Sequence, residues 1–379
     1  MVNPVPSLTL DNSFTIQTLS FDTGTDVFGI DANAAGNTAA QTLTLSGGTN
    51  ALGTADLVDV SAATTGTINI GVTSGVGILN VALGANGNFN VGNAAAVLNF
   101  GANSSISGAF NLSQSGPGTV TLAGANTFGG AGNSFMLNGG TLNVNNASAL
   151  GNAGNVFVIN GGKINNTSGA AITTSNYAQT WGGSFSFGGS NALNLGTGAV
   201  SLTGNRNVIV NGSTLTVGGV ISGTGFGVTK SGNGTLALNG ANTFTGPVIV
   251  NGGVLSTNTL GTAGTPQGLG ESNSLTLNGG TFRYTGTNYN QNFAPTITLG
   301  ANGGTIDTST GFVFHGGSFA GSGTLTVINS NNTTSAWILY TGASPNFTGN
   351  IVIGDGVHTQ SGIQYRSTNA TPFGTAIWF

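Results

Sequence analysis

The sequence has no cysteine, five basic and nine acidic side chains in 379 residues, and no apolar run of helix-spanning length. Without Cys there are no disulfides and no thiolate metal sites. Lys163, Arg206, Lys230, Arg283 and Arg366 are too few and too scattered for a basic stripe, so no nucleic-acid partner is expected. The same scarcity argues against attraction to anionic lipid. A membrane helix needs about 18 consecutive apolar residues, so no membrane insertion by this segment is expected. The first residues, Met1-Val-Asn-Pro-Val-Pro6, lack the basic start and apolar stretch of a signal peptide. The expectation is a fragment whose leader was removed, or one that begins inside a longer protein.

Glycine and short apolar runs fill the space that charge leaves. There are 68 Gly, and 38% of residues are hydrophobic against 4% charged. Disordered chains are poor in apolar residues and usually highly charged. This chain is neither, so it can bury a core.

Helical periodicity is missing. A three-residue unit recurs instead: apolar, then Asn or Thr, then apolar. The Asn form occurs as Ile68-Asn69-Ile70, Leu79-Asn80-Val81, Phe89-Asn90-Val91, Leu98-Asn99-Phe100, Phe110-Asn111-Leu112, Leu142-Asn143-Val144 and Leu193-Asn194-Leu195. The Thr form includes Leu43-Thr44-Leu45, Val120-Thr121-Leu122, Leu215-Thr216-Val217, Leu275-Thr276-Leu277, Ile297-Thr298-Leu299 and Leu325-Thr326-Val327. Neighbouring strand residues point to opposite faces, so the apolar pair turns inward and the polar residue outward.

Strands separated by Gly, Asn and Ser could build a sandwich, a barrel or a solenoid. The turn Asn-Gly-Gly decides. It starts at Asn138, Asn160, Asn251, Asn278 and Asn302, each time running into a strand. A tight corner needs positive φ, and a corner repeated once per coil is how solenoids turn. The expected fold is all-β, a right-handed parallel β-helix (β-solenoid). At about 22 residues per coil this predicts roughly 16–17 coils. Residues 1–379 read as a single continuous solenoid, with Phe ladders inside and no membrane barrel.

Longer repeats overlie the coils. Residues Gly118-Thr-Val-Thr-Leu-Ala-Gly-Ala-Asn-Thr-Phe-Gly-Gly130 nearly match Gly234-Thr-Leu-Ala-Leu-Asn-Gly-Ala-Asn-Thr-Phe-Thr-Gly246. A degraded third copy runs from Gly323-Thr-Leu-Thr-Val327 to Asn346-Phe-Thr-Gly349. This pattern, clearest over residues 115–285, resembles the autotransporter-associated β-strand repeat of bacterial passenger regions. The resemblance implies export, an extracellular or outer-membrane surface location, and a parallel β-helix scaffold without catalytic residues of its own. Such passengers precede an outer-membrane barrel of at least about eight strands, and no barrel is read here. Ser367-Thr-Asn-Ala-Thr-Pro-Phe-Gly374 looks like the element at Asn146–Gly151 and Ser256–Gly261, which again suggests a fragment.

No catalytic, cofactor or metal residue is assigned. Asp22-Thr23-Gly24 has the aspartic-protease triplet but lacks a second copy, since Asp307-Thr308-Ser309 has no Gly. Asp11, Asp22, Asp26, Asp31, Asp56 and Asp59 crowd the first 59 positions and could offer oxygens to calcium, although polar turns are the plainer reading. A polysaccharide-active enzyme, the alternative function, needs grouped carboxylates on one face, and downstream only Glu271, Asp307 and Asp355 remain. His315 and His358 are 43 residues apart, a poor zinc pair. Gly223-Thr-Gly225-Phe-Gly227 has no helix behind it to hold a phosphate. Outward Thr rows could order ice, but flatness needs constant coil length. Trp181, Tyr284, Tyr289, Trp337, Tyr340, Tyr365 and Trp378 could form a glycan-binding strip. The expected function is a structural or adhesive surface rod, non-catalytic, with cell-surface glycans or proteins as partners and self-association through open solenoid ends.

Overall fold

A computed structural model describes residues 7–22, 24–32, 39–49, 55–72, 77–262, 264–287, 293–309, 317–331, 336–340, 342–358, 361–365 and 377–378. Among these residues every regular element is a short strand, and there is no helix. The strands pair in parallel from one coil to the next, stacking into a β-solenoid of about 14 turns. The chain divides into two compact units, residues 1–196 and 197–379.

In the first unit the longest sheet contains Thr67–Ile70, Val97–Phe100, Thr119–Leu122, Thr141–Val144 and Lys163–Asn165. A second sheet carries Phe14–Ile16, Gln41–Leu45, Leu79–Leu83 and Ser104–Ser107, where it ends. A third carries Gly87–Val91, Leu112–Ser115, Ser134–Leu137 and Val156–Ile159. Early coils therefore have three sides, the coils just after Ser107 have two strands, and a third strand returns where Ile172–Thr173 joins Ala178–Trp181 and Phe185–Phe187. In the second unit one sheet contains Arg206–Val210, Val228–Ser231, Val248–Val250, Ser274–Leu277, Thr296–Leu299 and Ser318–Gly321. Its other long sheet contains Thr214–Val217, Thr235–Leu238, Val254–Thr257, Thr281–Tyr284, Gly304–Asp307 and Leu325–Ile328.

The coil count is lower than 22 residues per turn predicts. Thr119, Thr141 and Lys163 stack at that spacing. Phe28 however pairs with Ile68, Ile68 with Leu98, and Val248 with Leu275. Register is held by ladder hydrogen bonds and by the need to keep one face buried. Connection length is held by neither, because lengthening a loop costs little entropy.

Inward positions stack as the alternation predicts. Leu98, Val120, Leu142 and Ile164 form one buried row in successive coils. Phe135 and Phe157 are register partners with ring centroids 6.1 Å apart, so Phe ladders are present. Each fully buried side chain of this size stabilises by about 1.5–3 kcal/mol. One unit departs from its pattern. Phe110-Asn111 precedes its strand, which begins at Leu112, and Asn111 Oδ1 accepts the N–H of Ser134 at 2.8 Å.

The corners turn on glycine, with Asn outside the left-handed region. Gly140, Gly162 and Gly253 have φ of 67°, 75° and 58°. A Cβ on Gly140 would sit 2.3 Å from the carbonyl oxygen of Gly118, so no other residue fits. Asn211-Gly212-Ser213 is the exception, with Ser213 the one non-glycine at positive φ among the described residues, at 47°. Left-handed backbone costs an L-residue about 1 kcal/mol, partly offset in Gly by unfolded-chain entropy. Ser213→Gly is expected to raise stability by about 0.5 kcal/mol, read as a higher urea midpoint.

Candidate functional site

Many of the outward polar groups bond to each other along the axis. In the first unit Asn69, Asn99, Thr121, Asn143 and Asn165 stand in one column. Asn99 Nδ2 donates to Asn69 Oδ1 at 2.9 Å, and Asn143 Nδ2 donates to Thr121 Oγ1 at 2.9 Å. Thr121 and Asn143 are each only 9% exposed. Cross-strand pairs of this kind are the unit of sheet stabilisation, so the column rigidifies the coils.

Three of the six N-terminal acids bond to polar side chains of other strands or turns. Asn88 Nδ2 reaches Asp56 Oδ1 at 2.7 Å, and Asn90 Nδ2 reaches Asp59 Oδ1 at 2.9 Å. Asp22 Oδ1 accepts from Ser61 Oγ at 2.7 Å. Thr23 lies outside the described residues. No group of three or more His, Asp or Glu able to hold a metal occurs among the described residues.

Downstream, each acid has a separate setting. Asp307 is fully buried and accepts Arg283 Nε at 2.6 Å from its register partner. Its other oxygen accepts the N–H of Ser330. Asp355 folds its own loop, accepting the N–H groups of His358 at 2.8 Å and Val357 at 3.0 Å. His358 Nδ1 lies 2.8 Å from its other oxygen. The backbone N–H of His358, then its imidazole, then the N–H of Val357 hold this carboxyl down at about 2. Glu271 is half-buried, with its N–H on the carbonyl of Phe244.

The aromatic strip is corrected at two positions. Trp181 is fully buried and Tyr284 is 1% exposed, both in the core, because they occupy inward strand positions. Tyr289 and His315 lie outside the described residues, as do the side chains of Trp337, Tyr340, Tyr365 and Trp378. Gly223, at φ 155°, and Gly225, at φ 78°, shape a turn between two strands.

What the repeats share is a buried polar staple. Asn126 Oδ1 accepts the N–H of Ile106 at 2.8 Å, and its Nδ2 donates to the carbonyl of Ala149 at 2.7 Å. Asn242 does the same between Ile221, at 2.8 Å, and Gly268, at 2.7 Å. Each amide therefore bridges the coil before and the coil after its own. The third copy places this role differently from the sequence. Asn346 is exposed, whereas fully buried Ser344 Oγ accepts the N–H of Phe319 at 2.7 Å. Two residues, Pro345 and Asn346, separate Ser344 from Phe347, where one separates Asn126 from Phe128 and Asn242 from Phe244.

The second shared position lies just before each Gly-x-Gly turn and points inward. Gln114 occupies it in the first copy, with its Nε2 donating to the carbonyl of Thr141 at 2.9 Å. Lys230 occupies it in the second, fully buried in register with Val208 and Val250. Its Nζ donates to the carbonyls of Ser231 at 2.8 Å, Gly232 at 2.7 Å and Gly252 at 3.1 Å. Burial lowers this ammonium to about 8. Phe319 fills the position in the third copy.

These two stapled copies coincide with the family comparison. Residues 112–144 and 228–256 match the Passenger-associated-transport-repeat. This is an autotransporter passenger-like repeat chain. An alignment over 108 positions, covering 22% of this chain, is 37% identical to the Adhesin BmaC autotransporter of Brucella suis biovar 1 (strain 1330). The aligned region spans 3% of that relative's length. No solved structure matches. Within the passenger-like chain, Gln114 and Lys230 lie inside the two matched segments, and Asn126 lies inside the first.

Proposed function

We propose that this chain is a rigid, non-catalytic segment of a bacterial cell-surface adhesive rod, extracellular or at the outer-membrane surface. The observation that carries the proposal is the coil-to-coil pairing of polar groups in repeats that match a passenger family. Side chains bonded along the axis stiffen a spacer. The separate settings of Glu271, Asp307 and Asp355 support this reading over a polysaccharide-active enzyme, which needs two carboxylates flanking one bond. Similarity to an adhesin supports cell-surface glycans or proteins as partners. Beads coated with the purified chain should adhere to host cells above uncoated beads, and the chain should release no reducing sugar from polysaccharides. Sugar release that vanishes on Asp307→Asn would overturn the non-catalytic reading.

Self-association has its own supporting observation. Ser7–Leu10, Phe14–Ile16 and Leu19–Phe21 each end the strand order of their sheet among the described residues. Between them a cleft of about 430 Å³ opens onto the core, lined by Leu8, Leu10, Phe14, Ile16, Leu19 and Ile30. Leu8 is 49% and Phe14 50% exposed. Unpaired edges beside exposed apolar surface favour pairing with another chain. Leu8→Asp with Phe14→Asp should shift sedimentation toward monomer at equal concentration; unchanged association would reject this end as the interface.

A further inference from the structure

We propose that the corners at Asn138, Asn160, Asn211 and Asn251 are sites of spontaneous deamidation, so that the chain gains carboxylates at fixed places as it ages. The chain contains nine Asn-Gly pairs, beginning at residues 86, 138, 160, 211, 233, 239, 251, 278 and 302. In the reaction the Gly backbone nitrogen attacks the Asn side-chain carbonyl carbon. A new C–N bond forms, the bond to the amide nitrogen breaks, and ammonia leaves with the proton from the backbone N–H. Water then opens the five-membered imide at either carbonyl, leaving aspartate or isoaspartate. No oxidant or reductant is involved.

The structure separates the nine pairs by the state of that attacking nitrogen. At four of them the Gly N–H is bound within the backbone. Gly87 donates to Asn111 at 3.1 Å, Gly234 to Val210 at 2.8 Å, Gly279 to Gly303 at 2.7 Å and Gly303 to Gly300 at 2.8 Å. A nitrogen that donates a backbone hydrogen bond must first break it, which at about 1 kcal/mol slows attack about five-fold. Gly240 is buried. Among the described residues the N–H groups of Gly139, Gly161, Gly212 and Gly252 make no backbone hydrogen bond, and the Asn before each is exposed. These are the first glycines of their corners, one residue before the left-handed position, where the backbone leaves the ladder.

The consequences differ between corners. Asn160 Nδ2 donates to Asn138 Oδ1 at 2.8 Å, so a carboxylate at 160 removes the donor and sets acceptor against acceptor. Conversion at all four corners would take the net charge from −4 to −8. A near-neutral chain would thereby become an acidic one, with the new charge confined to the corner positions.

The test incubates the whole chain at neutral and mildly alkaline pH and maps aspartate and isoaspartate by peptide mass spectrometry. A urea-unfolded sample reports the intrinsic rates. The expected result is modification at 138, 160, 211 and 251 about five-fold or more ahead of 86, 233, 278 and 302 in the folded chain. Rates should rise with pH, and the site difference should be absent in urea. Equal rates across the nine pairs in the folded chain, or faster reaction at the hydrogen-bonded four, would overturn the proposal. A second arm uses Gly161→Ala, whose Cβ would meet nothing closer than 3.9 Å. This variant should fold as the parent does and slow reaction at Asn160 alone, because the added methyl crowds the attacking nitrogen. An unchanged rate at Asn160 would also overturn it.

Discussion

Asn242→Ala lowers the free energy of unfolding by about 4 kcal/mol. The amide is fully buried and serves two coils, accepting the N–H of Ile221 and donating to the carbonyl of Gly268. Alanine strands both groups away from water. An unsatisfied buried backbone group costs about 1–3 kcal/mol, and the lost side-chain volume adds to that. Asn242→Asp keeps the acceptor but turns a carboxylate toward the carbonyl of Gly268, so it should be no better tolerated. The measurement is the urea midpoint, with hydrogen exchange at the Ile221 amide as the local readout. In a stack where each coil contacts only its neighbours, exchange should rise on the flanking coils first. A loss below about 1 kcal/mol would mean that water or a neighbour takes over both groups.

Lys230→Ala should cost about 3 kcal/mol at pH 7, through the cavity it leaves and three carbonyls without a donor. Lys230→Met should cost less than Lys230→Ala, because it fills the cavity as Phe319 does in the third copy, while the three carbonyls still lose their donor. The pH dependence separates charge from packing. Lys230 titrates at about 8 in the folded chain against an ordinary value of 10.5. Between those values the unfolded chain holds more protons, so stability rises with pH across the window. The expected rise is on the order of 2 kcal/mol, reduced by the carbonyl partners that favour the ammonium. Burial raises the Tyr177 hydroxyl, whose contribution is lost as pH climbs beyond 10, so the difference between parent and Lys230→Met isolates the lysine. A parallel pH profile in the two proteins would show that the ammonium is solvated in solution.

Most of the scaffold is legible in the residues themselves. The apolar-polar-apolar units mark inward and outward faces, since a strand has period two and only one face of it can be buried. Leu142-Asn143-Val144 and Leu215-Thr216-Val217 sit as that rule requires, with the outer two residues buried. The Asn-Gly-Gly corners are equally readable, because positive φ at Gly140 or Gly253 leaves no alternative to glycine. The buried staple was visible only as a repeated Ala-Asn-Thr-Phe, with nothing to say that its Asn points inward. In the third copy Ser344 holds the buried position, and nothing in the degraded repeat marks it.

Strand faces, corners and parallel stacking can be read from the residues alone, because each follows from local sterics and a two-residue period. How many residues make a turn, which polar groups face each other, and which partner each acid takes emerge only once the coils are stacked. Those outcomes depend on register between residues 19 to 40 positions apart, as in Leu236 over Leu255 and Phe28 over Ile68. Loops of variable length erase that register from the linear spacing, while hydrogen bonds between coils restore it in space.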